Sequence, residues 1–221
     1  MKLCIIYQGP SFDTEKVKNS LKNINETVIF STWAGEEFFY NNNDLVIFQK
    51  KPKLPGFCNL NYQKMSTLAG LHVARQIGFS HALKIRSDFI MTNAQKTLKF
   101  LHEKPDKFAF LHWQTNNTFY PKCPGYLTDF INFGEINQLI ELWSFENCYE
   151  FIHPEITLTK RYTELFPDNS KVEYLIENAT EDNYFKWLKN DIKYDPQCVH
   201  FNKQEYLEKK YINKSYSQYF Q

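Results

Sequence analysis

Glycine is scarce in this chain, with 7 in 221 residues, and none of it gathers into a loop. The glycine- and arginine-rich phosphate cradle that a nucleotidyltransferase carries after its first strand is not found at Gln8-Gly9-Pro10. Charge of one sign is lacking too. The 26 Lys and Arg against 25 Asp and Glu leave no global field to gather nucleic acid and no solvating acidic tail. The five cysteines, Cys4, Cys58, Cys123, Cys148 and Cys198, are odd in number and form no CxxC pair. That excludes a zinc ribbon and a disulfide framework, and predicts reduced thiols in a cytoplasmic protein. No apolar run is long enough to cross a bilayer, and residues 3–7 are too few for a signal-peptide core. A soluble protein is expected. Without a secretory signal, the sequons at Asn25, Asn116, Asn178 and Asn213 carry no weight. The six histidines include no HExxH pair, and no internal repeat is present.

Aromatic residues, by contrast, make up 17% of the chain and are spread along it among many Asn and Lys. They read either as an AT-rich coding bias or as a sugar-stacking surface. Residues 3–7 form a continuous apolar run closed by Gln8-Gly9-Pro10, which predicts a buried first strand leaving through a turn. Asp13 or Thr14 caps a helix that carries Val17, Leu21 and Ile24 at helical spacing. Residues 27–33 and 45–49 read as strands, and the basic, proline-broken loop 50–55 ends the second. Further on, 94–102 reads as a helix, 108–113 as a strand, 126–133 as a strand ending at Gly134, and 135–143 as a helix. Pro154-Glu155 opens another helix, and an amphipathic helix is expected near 181–190 with Tyr184, Phe185 and Leu188 buried. Strands alternating with helices predict an α/β fold in one domain spanning 1–221, a mostly parallel central sheet flanked by helices. In that reading the Tyr- and Lys-rich stretch 203–221 is a docked helical tail or a surface-binding segment, which leaves room for peripheral membrane contact.

The most informative block is residues 61–92. Asn61 is the expected N-cap of a helix placing Met65, Leu68, Ala69, Val73 and Ile77 on its buried side, and Gly78 stops it. The strand 81–88 then sets Leu83 and Ile85 on one face and Lys84, Arg86 and Asp88 on the other, so that Asp88 leaves the sheet with its carboxylate free. A carboxylate at the carboxyl edge of a parallel strand is where open α/β sheets bind ligands, which makes Asp88 an address for a nucleotide or a metal. Asp is also an ordinary turn former there.

This block, from Asn61 through Ser66-Thr67-Leu68-Ala69-Gly70-Leu71 to Leu83-Lys84-Ile85-Arg86-Ser87-Asp88, resembles the WavE-type lipopolysaccharide-synthesis glycosyltransferases, which are similar to enzymes of the GT-A fold. The likeness extends more loosely to Thr128-Asp129-Phe130 with Gly134 and to Pro154-Glu155. It implies a GT-A-like, Rossmann-like domain. The implied activity is transfer of a sugar from a nucleotide-sugar donor to a glycan or lipid-linked acceptor, assisted by Mn²⁺ or Mg²⁺ held against the diphosphate. The GT-A signature has two acidic residues flanking one position, and here Arg86 stands at the first, so the metal rests on Asp88. Arg86 itself matches phosphate geometry. The resemblance places the nucleoside beside Gln8, Gly9 and Pro10, which read equally as a plain turn.

Two carboxylates are candidates for the general base. Asp129 lies in an apolar strand-like run, where it needs a partner or a wet cleft and where desolvation is expected to raise its pKa toward a base's working range. Glu155, beside Pro154 at a helix start, is expected to stay ionised under the helix dipole and reads also as ordinary helix-start chemistry. His200, after Cys198 and Val199, is a candidate metal or phosphate ligand. His112 and Trp113 either line a sugar pocket or belong to the core. Two rivals to the glycosyltransferase reading stay open: a sugar nucleotidyltransferase, and a carbohydrate-binding or assembly protein that keeps the fold without turnover.

Overall fold

The computed structural model describes residues 1–11, 13–36, 45–110, 127–147, 152–166, 172–174 and 185–187. Strand β1 (Leu3–Gln8) is buried throughout and is the third strand from one edge of a seven-stranded sheet. To one side lie β2 (Thr27–Trp33) and then β3 (Leu45–Gln49), both parallel. On the other side β4 (His81–Arg86) is again parallel to β1. Beyond it β7 (Ile131–Glu135) runs antiparallel to both β4 and β6 (Phe108–Phe110), and β8 (Val172–Tyr174) closes the far edge parallel to β6. The sheet is therefore mixed and mostly parallel, as expected. A separate antiparallel ribbon pairs β5 (Phe89–Met91) with β9 (Phe185–Trp187).

Period-two alternation distributes the core onto both faces of the sheet. Leu3, Ile5 and Tyr7, with Leu83 and Ile85, pack beneath helix α1 (Thr14–Ser20) and helix α3 (Ala94–His102). Cys4, Ile6 and Ala82 face the opposite layer of α2 (Leu60–Ile77), α4 (Ile136–Trp143) and α5 (Pro154–Leu165). The caps follow local chemistry. Asp13 accepts a hydrogen bond from the Lys16 amide at 2.9 Å, Gly78 ends α2 at φ 90°, and Pro154 occupies the first turn of α5.

Four local expectations are corrected. The N-cap of α2 is Asn59, while Asn61 lies inside the first turn and reaches Leu54 O with its amide at 3.4 Å. The buried side of α2 is Leu60, Ser66, Thr67, Gly70, Leu71 and Ala74, whereas Ile77 is 44% exposed. The helix seats its small residues on the sheet, close enough that a Cβ on Gly70 would lie 2.5 Å from Ile6 Cγ2. Within 126–133 the strand begins only at Ile131, so Asp129 belongs to the loop before it, where 127–130 are described. Near 181–190 the described residues Phe185–Trp187 form a strand, because β5 offers a ladder that outweighs helical spacing.

Candidate active site

The carboxyl ends of β1 and β4 meet in register, Gln8 opposite Arg86. The Ser87 amide donates to Gln8 O at 2.9 Å. Gly9 turns the chain away at φ 119°, and a Cβ there would stand 2.7 Å from Ser87 Oγ, so both conformation and space demand glycine. The Gln8 side chain is held from α2, where Ser66 Oγ donates to its Oε1 at 2.5 Å. Pro10 follows, half-buried.

Arg86 is the hub. Its Nε donates to Asp88 Oδ1 at 2.9 Å, its Nη2 to Asp88 Oδ2, and its Nη1 to Asp129 Oδ2 at 3.0 Å. The guanidinium lies 4.6 Å from the Phe130 ring centre. Asp88 is thus not a free carboxylate, as its place after the strand suggested: both oxygens are taken by a bidentate arginine. The loop carrying Asp129 is tied down from three sides. Phe130 O accepts from the Arg86 amide at 2.9 Å, Thr159 Oγ1 accepts from the Leu127 amide at 2.9 Å, and Asp129 O accepts from Lys84 Nζ.

Lys84 is fully buried, with Trp143 of α4 4.8 Å from its ammonium, and burial pushes its pKa down to about 7 against the pull of Asp129. The Trp143 indole is fixed in turn by Asn132 Oδ1 at 3.2 Å.

Helix α5 brings Glu155 to the same place. About a fifth of its side chain, 21%, remains exposed, but its Oε2 is shielded from solvent, as is Asp129 Oδ1, and neither oxygen has a hydrogen-bond partner among the described residues. Burial first, and then the Asp129 charge and a hydrogen bond to Asp129, raise Glu155 to about 8. The carboxylate expected to stay ionised under the dipole at this helix start is instead one whose pKa is raised, because desolvation outweighs the dipole. His153 lies beside it, with Nδ1 3.9 Å from Glu155 Oε2 and 3.9 Å from Cys58 Sγ. Burial pushes its pKa down to about 4.

The fold gathers Gln8, Gly9, Arg86, Asp88, Asp129 and Glu155 at one end of the sheet. His112, Trp113 and His200 lie outside the described residues. Lys84, Ser66 and His153 escaped the sequence reading. Their one signal was a lysine at the centre of a strand whose neighbours are apolar.

A divalent ion does not fit these groups as they stand. Among the described residues no three His, Cys, Asp or Glu side chains are arranged so that they could hold a metal ion, and an ion at Asp88 would have to displace the Arg86 guanidinium.

A model of the WavE lipopolysaccharide synthesis family matches residues 14–215. The chain belongs to this family. No protein of curated function matches this WavE-family chain. Among solved structures it is similar to a protein from Bacillus anthracis assigned as a glucose-1-phosphate thymidylyltransferase and crystallised with sucrose, with 11% identity, TM-score 0.50, and coverage of 89% of this chain and 98% of that one. It is similar also to residues 1–349 of S. aureus TarS, at 12% identity and TM-score 0.48 over 84% of this chain, and spans 60% of that chain. A third is a protein from Desulfovibrio desulfuricans G20 assigned as a nucleotide-diphospho-sugar transferase, at 9% identity, TM-score 0.49 and 79% of each chain. No helix among the described residues of the WavE-family chain is long and apolar enough to cross a membrane.

Proposed function

We propose that this WavE-family chain transfers a glycosyl group from a nucleotide sugar to a hydroxyl of a glycan or lipid-linked acceptor. One observation carries the reading: a fixed cation, Arg86, and two carboxyl groups, Asp129 and Glu155, meet at the carboxyl ends of adjacent parallel strands. Gln8 and Gly9 border the same edge and would face the nucleoside.

In an inverting transfer the acceptor oxygen attacks the anomeric carbon as the bond from that carbon to the diphosphate oxygen breaks. The electron pair leaves with the nucleoside diphosphate, and the hydroxyl proton passes to a carboxylate. Glu155 suits that last task better than Asp129, which is engaged by Arg86 through Oδ2. A group whose pKa is raised to about 8 is a stronger base once ionised than an ordinary carboxylate.

The similarity to a protein assigned as a thymidylyltransferase favours a second reading, nucleotidyl transfer to a sugar phosphate, since the sheet is shared. A panel of nucleotide sugars, assayed for release of nucleoside diphosphate with and without candidate hydroxyl acceptors, tests the first. Pyrophosphate release from nucleoside triphosphates with sugar 1-phosphates tests the second. Silence in both assays with retained nucleotide-sugar binding would instead indicate a binding protein on this fold.

A further inference from the structure

We propose that the Arg86 guanidinium, fixed by Asp88 and Asp129, receives the donor's diphosphate in the place where a divalent metal ion would otherwise stand. The inference rests on the glycosyltransferase reading and names how its donor is held.

Three observations carry it. First, the two oxygens a metal would need on Asp88 are occupied by a bidentate pair, and the resulting clamp holds Arg86 rather than leaving it to swing in solvent. Second, within this clamp the arginine is the most exposed member. The Arg86 side chain keeps 22% of its surface, against 8% for Asp88 and 1% for Asp129. Its bonds among the described residues use three of the five guanidinium N–H groups, so two remain for phosphate oxygens. Third, the acidic groups already have cations against them: Arg86 pairs with both Asp88 and Asp129, and Lys84 Nζ donates to the Asp129 carbonyl. A divalent ion needs surplus negative charge around it, and here it would compete with these cations for that charge.

Asp88 and Asp129 are in this scheme positioning residues. They hold the fork 4.6 Å from the centre of the Phe130 ring and lower the energy of keeping a guanidinium at the sheet edge. The departing diphosphate then gains two charge-assisted hydrogen bonds without metal reorganisation.

The test is calorimetric titration of the full chain with UDP, GDP, CDP, ADP and dTDP, first in EDTA and then in Mn²⁺. The expected result is that at least one binds in EDTA with a Kd within about threefold of its value in Mn²⁺. Electron paramagnetic resonance should then show that the chain without nucleotide leaves the Mn²⁺ signal of free ion. Binding seen only with Mn²⁺ would overturn the inference and leave the glycosyltransferase reading standing. Binding in neither medium would sink both.

Two variants sharpen the result, each first checked for an intact thermal transition. Arg86→Lys keeps the charge but loses the fork, and should weaken nucleotide binding in EDTA by about tenfold. Asp88→Asn breaks the bidentate clamp while leaving the guanidinium in the chain, and should weaken nucleotide binding in EDTA by about 3- to 10-fold. A metal ligand would behave differently: binding in the unmodified chain would need Mn²⁺, and Asp88→Asn would abolish it. The titrations on the unmodified chain decide the matter whatever the stability of the variants.

Discussion

Burial moves three titratable groups near the end of β4 in opposing directions: Glu155 up to about 8, Lys84 down to about 7, and His153 down to about 4. If Glu155 accepts the acceptor's proton, turnover should rise with pH to a plateau with a midpoint near 8, and Glu155→Gln should flatten the profile and cost ~10²–10⁴ in rate. Asp129→Asn removes the neighbouring charge and should shift the midpoint toward acid. It should not fall to the ordinary carboxylate value, since desolvation is the larger cause. A pH–rate profile of the two variants checks this, and an unshifted midpoint in Asp129→Asn would dissolve the proposed pair. The residues Arg86, Asp88, Asp129 and Glu155 were legible from type and position alone. Their mutual bonds were not, because residues 43 positions apart meet only once β7 lies against β4. Lys84 was illegible for a related reason: a lysine in a strand reads as solvent-facing until a Trp143 from another element covers it.

Helix α2 is held against the sheet by closeness rather than by bulk. Gly70 sits over Ile6 with no room for a methyl group, and two hydrogen bonds tie the helix to the sheet beside it: Ser66 Oγ donates to Gln8 Oε1, and Ser31 Oγ donates to Ser66 O at 2.7 Å. Gly70→Ala should therefore destabilise. Overpacking costs ~1–3 kcal/mol and the gain in helix propensity returns ~1 kcal/mol, so the midpoint of thermal unfolding should fall by several degrees. A raised midpoint would show that the rigid Cγ2 branch of Ile6 yields more easily than its place in β1 suggests. The length and stop of this helix were readable from Gly78 and from the periodicity. Its buried face was not, since a search for large apolar residues picks the wrong side of a helix that packs through Ser, Thr, Gly and Ala.

Taken as a molecule, the site leaves a mark on stability against pH. Glu155 binds more protons folded than unfolded, so its contribution is full below about 4.5 and is lost as pH rises to about 8. His153 and Lys84 bind fewer when folded. Their contributions grow with pH, between about 4 and 6.5 for His153 and between about 7 and 10.5 for Lys84. The sum from these three groups is a shallow trough near pH 7–8. Urea midpoints at a series of pH values should show it in the wild type, and Glu155→Gln should convert it to a steady rise toward alkaline pH. Lys84→Met should remove the alkaline limb, with no group's slope exceeding about 1.4 kcal/mol per pH unit. An identical curve in wild type and Glu155→Gln would mean that Glu155 is not desolvated as the fold places it.

The sequence by itself determined what short-range chemistry can determine: the apolar run of β1, the caps Asp13 and Gly78, the proline start of α5, the mostly parallel α/β class, and the family, through the block from Asn61 to Asp88. Each of these is set by neighbours within a few positions, where steric and hydrogen-bonding preferences act without help from the rest of the chain. Only the tertiary structure decided that Asp88 spends its charge on Arg86, that burial pushes Glu155 up to about 8, and that Phe185–Trp187 is a strand. Charge pairing, desolvation and ladder formation all depend on groups far apart in the chain, and the low dielectric of a packed interior magnifies them beyond any local preference.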